Sequence, residues 1–155
     1  MDHLDQKILT CLQEDSSLPV AEISDRVGLS QTPCWRRIRN LEDAGVIQRR
    51  VALLDRAKLN LATTVFVAVK TSAHTEDWLA GFADIVAGFP EVVEFYRMSG
   101  DIDYLLKVVV ADIPAYDAFY KRLIAAVDLN DVSSSFAMEE IKYTTALPID
   151  FERAV

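Results

Sequence analysis

Two short helical patterns joined by a tight turn restrict the possible folds of this chain more than any other sequence feature. The first begins near Pro19, which suits a first helical turn, and ends at Gly28, which can adopt the positive φ found just after many helices. The second follows Ser30, a common helix cap, and ends at Gly45. Apolar residues at three- and four-residue steps give each helix an inner face, formed by Val20, Ile23, Val27, Cys34, Ile38 and Leu41. The pattern predicts a helix-turn-helix.

The residues on either side extend this unit. Residues 4–13 have helical spacing, with Asp2 as a possible cap, and predict a helix that precedes the pair. Residues 46–60 resemble a short charged hairpin, a wing, and no linker rich in proline, glycine or serine follows. Cys11 and Cys34 lie on apolar helix faces, so we interpret them as small core residues rather than a disulfide or metal pair. We therefore expect a winged helix-turn-helix domain over residues 1–60.

The sequence from Leu61 onward has a different character. Strands are predicted at 61–71, 92–98, 104–110 and 132–149, and helices at 75–90 and 112–127, with caps at Thr75 and Asp112. The order β-α-β-β-α-β is that of a ferredoxin-like domain over residues 61–155, and the whole chain is of the α+β class. In the first strand, Val65, Val67 and Val69 alternate with Thr64, Phe66 and Ala68. Both faces of that strand are thus apolar, which indicates oligomerisation.

The charge is divided unevenly along the chain. The net charge is −8, yet residues 1–60 hold nine basic and nine acidic side chains, and residues 61–155 hold seven basic and fifteen acidic. The first half therefore retains a surface suited to phosphates despite the acidic total. No apolar run is long enough to span a membrane and no signal peptide is visible at the N-terminus, so we expect a cytoplasmic protein that does not bind membranes.

The second helix of the pair is the expected DNA-recognition element. Its free side and the wing carry residue types that hydrogen-bond to bases and phosphates: Ser30, Gln31, Thr32, Trp35, Arg36, Arg37, Arg39, Asn40, Arg49 and Arg50. Alternatively, the arginines form only a solvated helix face. Trp35 fits either the core or the DNA side, and Arg37 can instead pair with Glu42 or Asp43.

A second group of polar residues surrounds the connection between the second and third strands, residues 96–104. Gly100 lets backbone amides approach a ligand, and an aspartate nearby can accept an α-ammonium group. Ser133, Ser134 and Ser135 add hydroxyls near the start of the last strand. Together these groups can recognise an amino acid, although glycine and aspartate are also ordinary turn residues.

The chain resembles the leucine-responsive and asparagine-responsive regulators of bacteria and archaea, the Lrp/AsnC family. Three stretches carry the resemblance: LDQKILTCLQED, LSQTPCWRRIRNLEDAGVI and GDIDYLLKVVV. The resemblance spans nearly the whole chain. It implies a transcription regulator of amino-acid metabolism genes that binds double-stranded operator DNA. It also implies dimers, which in this family often assemble into octamers. It also implies an effector site at Met98, Ser99, Gly100, Asp101 and Asp103, with Ser134 a further candidate. The tail SSSFAMEEIKYTTALPI is similar to a cysteine-responsive branch, which makes cysteine the expected effector.

Two other interpretations remain open at this stage. The same basic N-terminal domain fits an architectural protein that binds DNA without an effector. Alternatively, the effector is leucine, proline or another amino acid, because related branches of the family respond to these. An enzyme is disfavoured, since the chain has only two histidines and lacks metal-ligand spacing, a nucleophile motif or a phosphate loop. We accordingly assign no catalytic residues, no metal ligands and no cofactor.

Overall fold

The computed structural model describes residues 1–72 and 75–149, and the chain divides into two compact units. One unit combines residues 1–53 with the segment that starts at Lys142, and the other covers residues 54–141. In chain order the elements are α1 (His3–Glu14), α2 (Val20–Val27), α3 (Gln31–Asp43), β1 (Thr63–Lys70), α4 (Glu76–Ala87), β2 (Val92–Arg97), β3 (Tyr104–Val110), α5 (Ile113–Ala126) and β4 (Asp131–Phe136).

The first unit is built on three short helices around one apolar cluster. Asp2 caps α1 as predicted: its carboxylate accepts from the backbone N–H groups of Leu4 and Asp5, and the Asp5 carboxylate accepts from the Asp2 N–H. Gly28 ends α2 at a φ of 73°, also as predicted. The cluster consists of Ile8, Leu9, Ile23, Val27, Cys34, Ile38 and Leu41. This packing fixes the angle at which α3 leaves the turn.

The C-terminal segment belongs to the same unit and lies along α1. The Gln13 side-chain amide accepts from the Leu147 N–H at 2.6 Å and donates to the Leu147 carbonyl at 3.3 Å. Gln6 donates to the carbonyl of Ile149 at 2.6 Å, and Ile149 packs against the apolar cluster of the helices. The first unit is therefore assembled from two stretches that are distant in the sequence.

The second unit has the predicted β-α-β-β-α-β order. Its four strands form one antiparallel sheet in the order β2-β3-β1-β4, which is the ferredoxin-like arrangement. Thr75 and Asp112 cap α4 and α5 as expected, each accepting from a backbone N–H of the first turn. One face of the sheet packs against both helices, and its core comprises Val65, Val67, Val69, Phe82, Val86, Leu106, Val108, Phe119 and Leu123.

The opposite face of this sheet combines apolar and charged side chains. Phe66 of β1 is 38% exposed and points to this face, because its neighbours Val65 and Val67 point into the core. Beside it, Lys107 contacts Glu94 at 2.8 Å, and the hydroxyl of Tyr96 donates to the same carboxylate. These hydrogen bonds hold the pKa of Glu94 below its usual value, with Lys107 the larger cause.

Two predicted features are wrong. Residues 46–60 contain no strand: they have bends at 46–47, irregular chain at 48–55 and turns at 56–60, so the predicted hairpin is absent. The last strand ends at Phe136 rather than continuing to residue 149. Both segments contain β-branched and other apolar residues, but their backbone has no neighbouring strand to pair with among the described residues.

Candidate DNA-binding and effector sites

The helix α3 presents a polar outer surface because its apolar residues are used for packing. Cys34, Ile38 and Leu41 are at most 4% exposed, which fixes the rotation of the helix about its axis. The exposed residues on the remaining surface are Gln31, Thr32, Trp35, Arg36, Arg39 and Asn40. Trp35 is 54% exposed, so it lies on this outer surface rather than in the core. A single helix face thus combines an aromatic side chain, two amides, a hydroxyl and two guanidinium groups.

The start of α3 differs from the expectation in one detail. Ser30 occupies the N-cap position, but its side chain makes no capping hydrogen bond. The first-turn N–H groups of a helix carry partial positive charge and attract anions when no side chain satisfies them. Ser30, Gln31 and Thr32 are all exposed at this end. The N-terminus of α3 therefore has the chemistry of a phosphate contact.

Arg37 is placed differently from its neighbours. Its guanidinium lies 2.8 Å from a carboxylate oxygen of Asp2 and 2.8 Å from one of Asp5. The backbone N–H of Asp5, followed by Arg37, lowers the pKa of the Asp2 carboxyl. The expected alternative partners, Glu42 and Asp43, are thus wrong for Arg37. Its charge is balanced by the capping box of α1, and it joins α3 to α1.

Arg39 and Arg50 share one carboxylate. One oxygen of Glu42 lies 3.2 Å from Arg39, and the other lies 3.2 Å from Arg50, which also donates to the carbonyl of Ser16. Arg36 and Arg49 are exposed, and neither forms an ion pair with any residue in 1–72 or 75–149. Arg39 and Arg50 are thus paired with a carboxylate, whereas the charges of Arg36 and Arg49 are uncompensated among the described residues.

The connection between β2 and β3 forms an exposed loop at one end of the sheet. Met98, Ser99, Gly100 and Asp101 are exposed, and Gly100 has a φ of 121°, a conformation that disfavours any other residue. Asp103 fastens the loop, since its carbonyl accepts from the Met98 N–H at 2.8 Å and its N–H donates to a carbonyl of β1. Its carboxylate also accepts from the backbone N–H at the end of β1, at 2.8 Å. The loop is therefore held rigidly at its base and open at its tip.

Ser134 does not join this loop. It pairs with Val67 of β1 and so points to the helix-covered face, where its hydroxyl is hydrogen-bonded to the phenol of Tyr116. Burial raises the pKa of that phenol. β4 lies on the far side of β1 from β3, about 10 Å away across two strand spacings. Within one chain, the loop residues and Ser134 are therefore separate.

The sequence interpretation missed three acidic residues of the first unit. Asp2 and Asp5 hold Arg37, and Glu42 holds Arg39 and Arg50. One of these contacts has a local signal, because Glu42 follows Arg39 by three residues on the same helix. The others depend on packing between α1 and α3 and on the path of the chain after α3, which no local pattern encodes.

The described part of the chain lacks a membrane-spanning helix and a cluster of metal-ligating side chains. Among residues 1–72 and 75–149, no helix is both long and apolar enough to cross a membrane. The same residues contain no group of three or more histidine, cysteine or acidic side chains able to hold a metal ion. Cys11 and Cys34 are free thiols, and burial raises the pKa of Cys34.

A helix-turn-helix with a basic outer face, followed by a ferredoxin-like sheet, defines a class of DNA-binding transcription regulators. Comparison with known families agrees with this. The family model for winged helix-turn-helix DNA-binding domains matches residues 1–48, and the model for the Lrp/AsnC ligand binding domain matches residues 64–147. The chain belongs to the Lrp/AsnC family, and this membership supports the prediction that it is not an enzyme.

Individual relatives match over almost their full lengths. The chain is 53% identical to the glutamate uptake regulatory protein of Zymomonas mobilis over 149 residues, covering 96% of this chain and 91% of the relative. It is 49% identical to the DNA-binding transcriptional activator DecR of Escherichia coli over 151 residues, covering 97% of this chain and 99% of the relative. Both relatives are named as regulators, which agrees with the class that the fold defines.

Two solved structures share the fold throughout. An AsnC family transcriptional regulator from Agrobacterium tumefaciens has 64% identity and a TM-score of 0.95, with 97% of this chain and 99% of that chain covered. A transcriptional regulator from Neisseria meningitidis, solved as a complex with L-Met, has 39% identity and a TM-score of 0.90, with 96% of both chains covered. The chain therefore has a winged helix-turn-helix DNA-binding domain and an Lrp/AsnC ligand-binding domain.

Proposed function

We propose that this protein is a cytoplasmic transcription regulator whose affinity for operator DNA changes when it binds a small amino acid, with cysteine as the effector. In this proposal residues 1–60 form the DNA-binding domain and residues 61–155 the sensing and oligomerisation domain. One observation carries it: the outer face of α3 exposes Arg36 without a balancing carboxylate, in a chain whose net charge is −8. An uncompensated guanidinium beside exposed side-chain amides suits a partner that carries phosphates and base edges.

We assign the DNA contacts to residues around α3. They are Ser30, Gln31, Thr32, Trp35, Arg36, Arg39, Asn40, Arg49 and Arg50. The amides of Gln31 and Asn40 can pair with adenine, and the guanidinium of Arg36 can pair with guanine or a phosphate. Arg37 is left out of this set because Asp2 and Asp5 already balance its charge.

We assign the effector site to the loop Met98, Ser99, Gly100, Asp101 and Asp103. A free amino acid offers a carboxylate, an ammonium group and one side chain. The exposed backbone at Gly100, which lacks a side chain, can offer N–H groups to the carboxylate, and the Asp101 carboxylate can accept from the ammonium group. Asp103 contributes by fixing the base of the loop. Because Ser134 lies across the sheet, it reaches an effector at this loop only if a second copy of the chain supplies it.

The proposed assembly is a homodimer that associates further to an octamer. The open face of the sheet supports self-association, since Phe66 and Tyr96 are 38% and 50% exposed there. Two DNA-binding units in a dimer would contact two half-sites, and effector binding would change their spacing or the degree of assembly. Effector and operator must then alter each other's affinity by the same factor.

The first experiment is a thermal-unfolding screen of the full chain against the twenty amino acids, with thiols kept reduced. At about 100 times its dissociation constant, an effector adds roughly 2.7 kcal/mol to the free energy of unfolding, which raises Tm by about 5–10 °C. We expect a selective rise with cysteine. Asp101→Ala should weaken this rise, whereas Asp84→Ala, which removes an exposed carboxylate from α4, should not.

Other outcomes discriminate among the alternatives. A selective rise with methionine, glutamate, leucine or proline would keep the amino-acid-responsive function and exclude cysteine as the effector. If no amino acid changes either Tm or the affinity for operator DNA, the protein is an architectural DNA-binding protein and the sensing proposal is wrong.

A further inference from the structure

Glu42 occupies an unusual position among the basic residues of the DNA-binding unit. It is the next-to-last residue of α3, and its two carboxylate oxygens contact two different guanidinium groups, those of Arg39 and Arg50, each at 3.2 Å. Arg50 is also fixed from a second direction, by the carbonyl of Ser16 at 3.3 Å. One acidic side chain therefore connects the recognition helix to the segment that follows it.

These contacts leave part of each arginine available. A guanidinium has five N–H donors in a rigid plane. Arg39 uses one terminal nitrogen for Glu42, and Arg50 uses its two terminal nitrogens for Glu42 and Ser16. The side chains of Arg39 and Arg50 remain 54% and 41% exposed. A carboxylate that binds one edge of a guanidinium can thus hold it in place while another edge contacts DNA.

We propose that Glu42 is a specificity-determining positioning residue, which holds Arg39 and Arg50 in the orientation that distinguishes operator from other DNA. The inference rests on the proposed role of α3 as the recognition helix. A long arginine side chain loses considerable rotamer freedom when it is fixed against a base or phosphate. Glu42 imposes part of that order before DNA binds, so the specific complex loses less entropy.

If Glu42 only neutralised charge, its removal would have a different effect on DNA binding than if it positions the arginines. A carboxylate near phosphates repels them, so Glu42 would only weaken binding if it did no more than neutralise charge. In that case its removal would strengthen binding to every DNA sequence alike. A positioning role predicts that removal weakens binding to operator while binding to unrelated DNA becomes slightly stronger. The ratio of the two affinities therefore separates the roles.

The chain contains a matched control in the adjacent residue. Asp43 is exposed at the end of the same helix, and within residues 1–72 and 75–149 it has no ion pair. Glu42→Gln and Asp43→Asn remove the same charge from almost the same place. Only the first removes the pair of carboxylate oxygens that two arginines share, because an amide offers one acceptor oxygen and its NH2 group cannot accept from an arginine.

The experiment measures the dissociation constants of the full-length variants at one salt concentration. The probes are a duplex selected by the wild-type protein from random-sequence DNA and a duplex with the same composition in shuffled order. For Glu42→Gln we expect the affinity ratio of selected to shuffled duplex to fall roughly three- to tenfold, because two exposed ion pairs each contribute modestly. For Asp43→Asn we expect both affinities to rise together and the ratio to stay unchanged.

A rise in both affinities for Glu42→Gln, equal to that of Asp43→Asn, would overturn the proposal. A fall in the ratio that is accompanied by a large fall in Tm would also count against it, since general loosening of the helices would then explain the effect. Arg36→Ala serves as the control for the underlying function. If that variant binds the selected duplex as tightly as wild type, α3 is not the recognition helix and the proposed function itself fails.

Discussion

Arg36 and Arg37 are adjacent on α3 but should respond differently to substitution. Arg36 is exposed and has no ion pair within the described ranges, whereas Arg37 contacts Asp2 and Asp5 at 2.8 Å. Each phosphate contact that a cation makes to duplex DNA contributes about 0.9 to the slope of log affinity against log salt. Arg36→Ala should therefore lower that slope by about 0.9 for each DNA-binding unit engaged, whereas Arg37→Ala should leave it unchanged.

The difference is large enough to measure. Between 50 and 200 mM salt the concentration changes fourfold, so one lost contact alters the relative affinity of variant and wild type by roughly 3.5-fold, and two lost contacts by roughly 12-fold. Fluorescence anisotropy titrations at four or five salt concentrations resolve such a change. Arg36→Lys keeps the charge and should keep most of the slope.

A specific result would refute this reasoning. If Arg37→Ala lowers the slope as much as Arg36→Ala does, Arg37 leaves its carboxylates to bind phosphate, and the ion pairs with α1 do not persist in the complex. Equal slopes for all three variants and wild type would show that neither arginine contacts the DNA backbone.

Two further predictions concern stability. Glu94 has a lowered pKa because Lys107 and Tyr96 donate to its carboxylate. Its contribution to the free energy of unfolding is present at neutral pH and is lost as the pH falls through the folded-state pKa. Below about pH 4, Glu94→Gln should therefore lose stability less steeply than wild type in chemical unfolding, and parallel curves of stability against pH would contradict this. Gln13→Ala removes both hydrogen bonds to Leu147 and should lower the free energy of unfolding, measured in urea, by about 1 kcal/mol. Glu14→Ala, at an exposed position, should change it little, and an equally small effect of Gln13→Ala would mean that these two hydrogen bonds add no stability.

Much of the fold could be predicted because local and global signals agree. The inner face of α3, the positive φ of Gly28 and the side-chain caps at Asp2, Thr75 and Asp112 each follow from a few neighbouring residues, and the structure contains all of them. The strand order also followed, because alternating strands and helices of these lengths have few ways to cover one sheet.

The errors lie where structure depends on a distant partner. Residues 46–60 and 137–149 contain apolar residues that suit a strand, but a strand also requires a neighbour for its backbone hydrogen bonds. The pairing of Arg37 was missed for the same reason, since its partners lie at the other end of the helical unit. The loop proposed for the effector was visible as a turn, but the separation of Ser134 from it depends on which strand lies between β3 and β4.

The DNA-binding unit contains residues from both ends of the chain, which affects how it forms during synthesis. The ribosome completes α1, α2 and α3 long before it reaches Ile149, and the whole sheet is made in between. During that interval the apolar cluster of the helices lacks one of the side chains that packs against it, and Gln13 lacks its backbone partner. The DNA-binding unit therefore reaches its final form only after the sheet has been translated. A nascent chain that still lacks its C-terminal segment presents an incomplete DNA-binding unit to DNA.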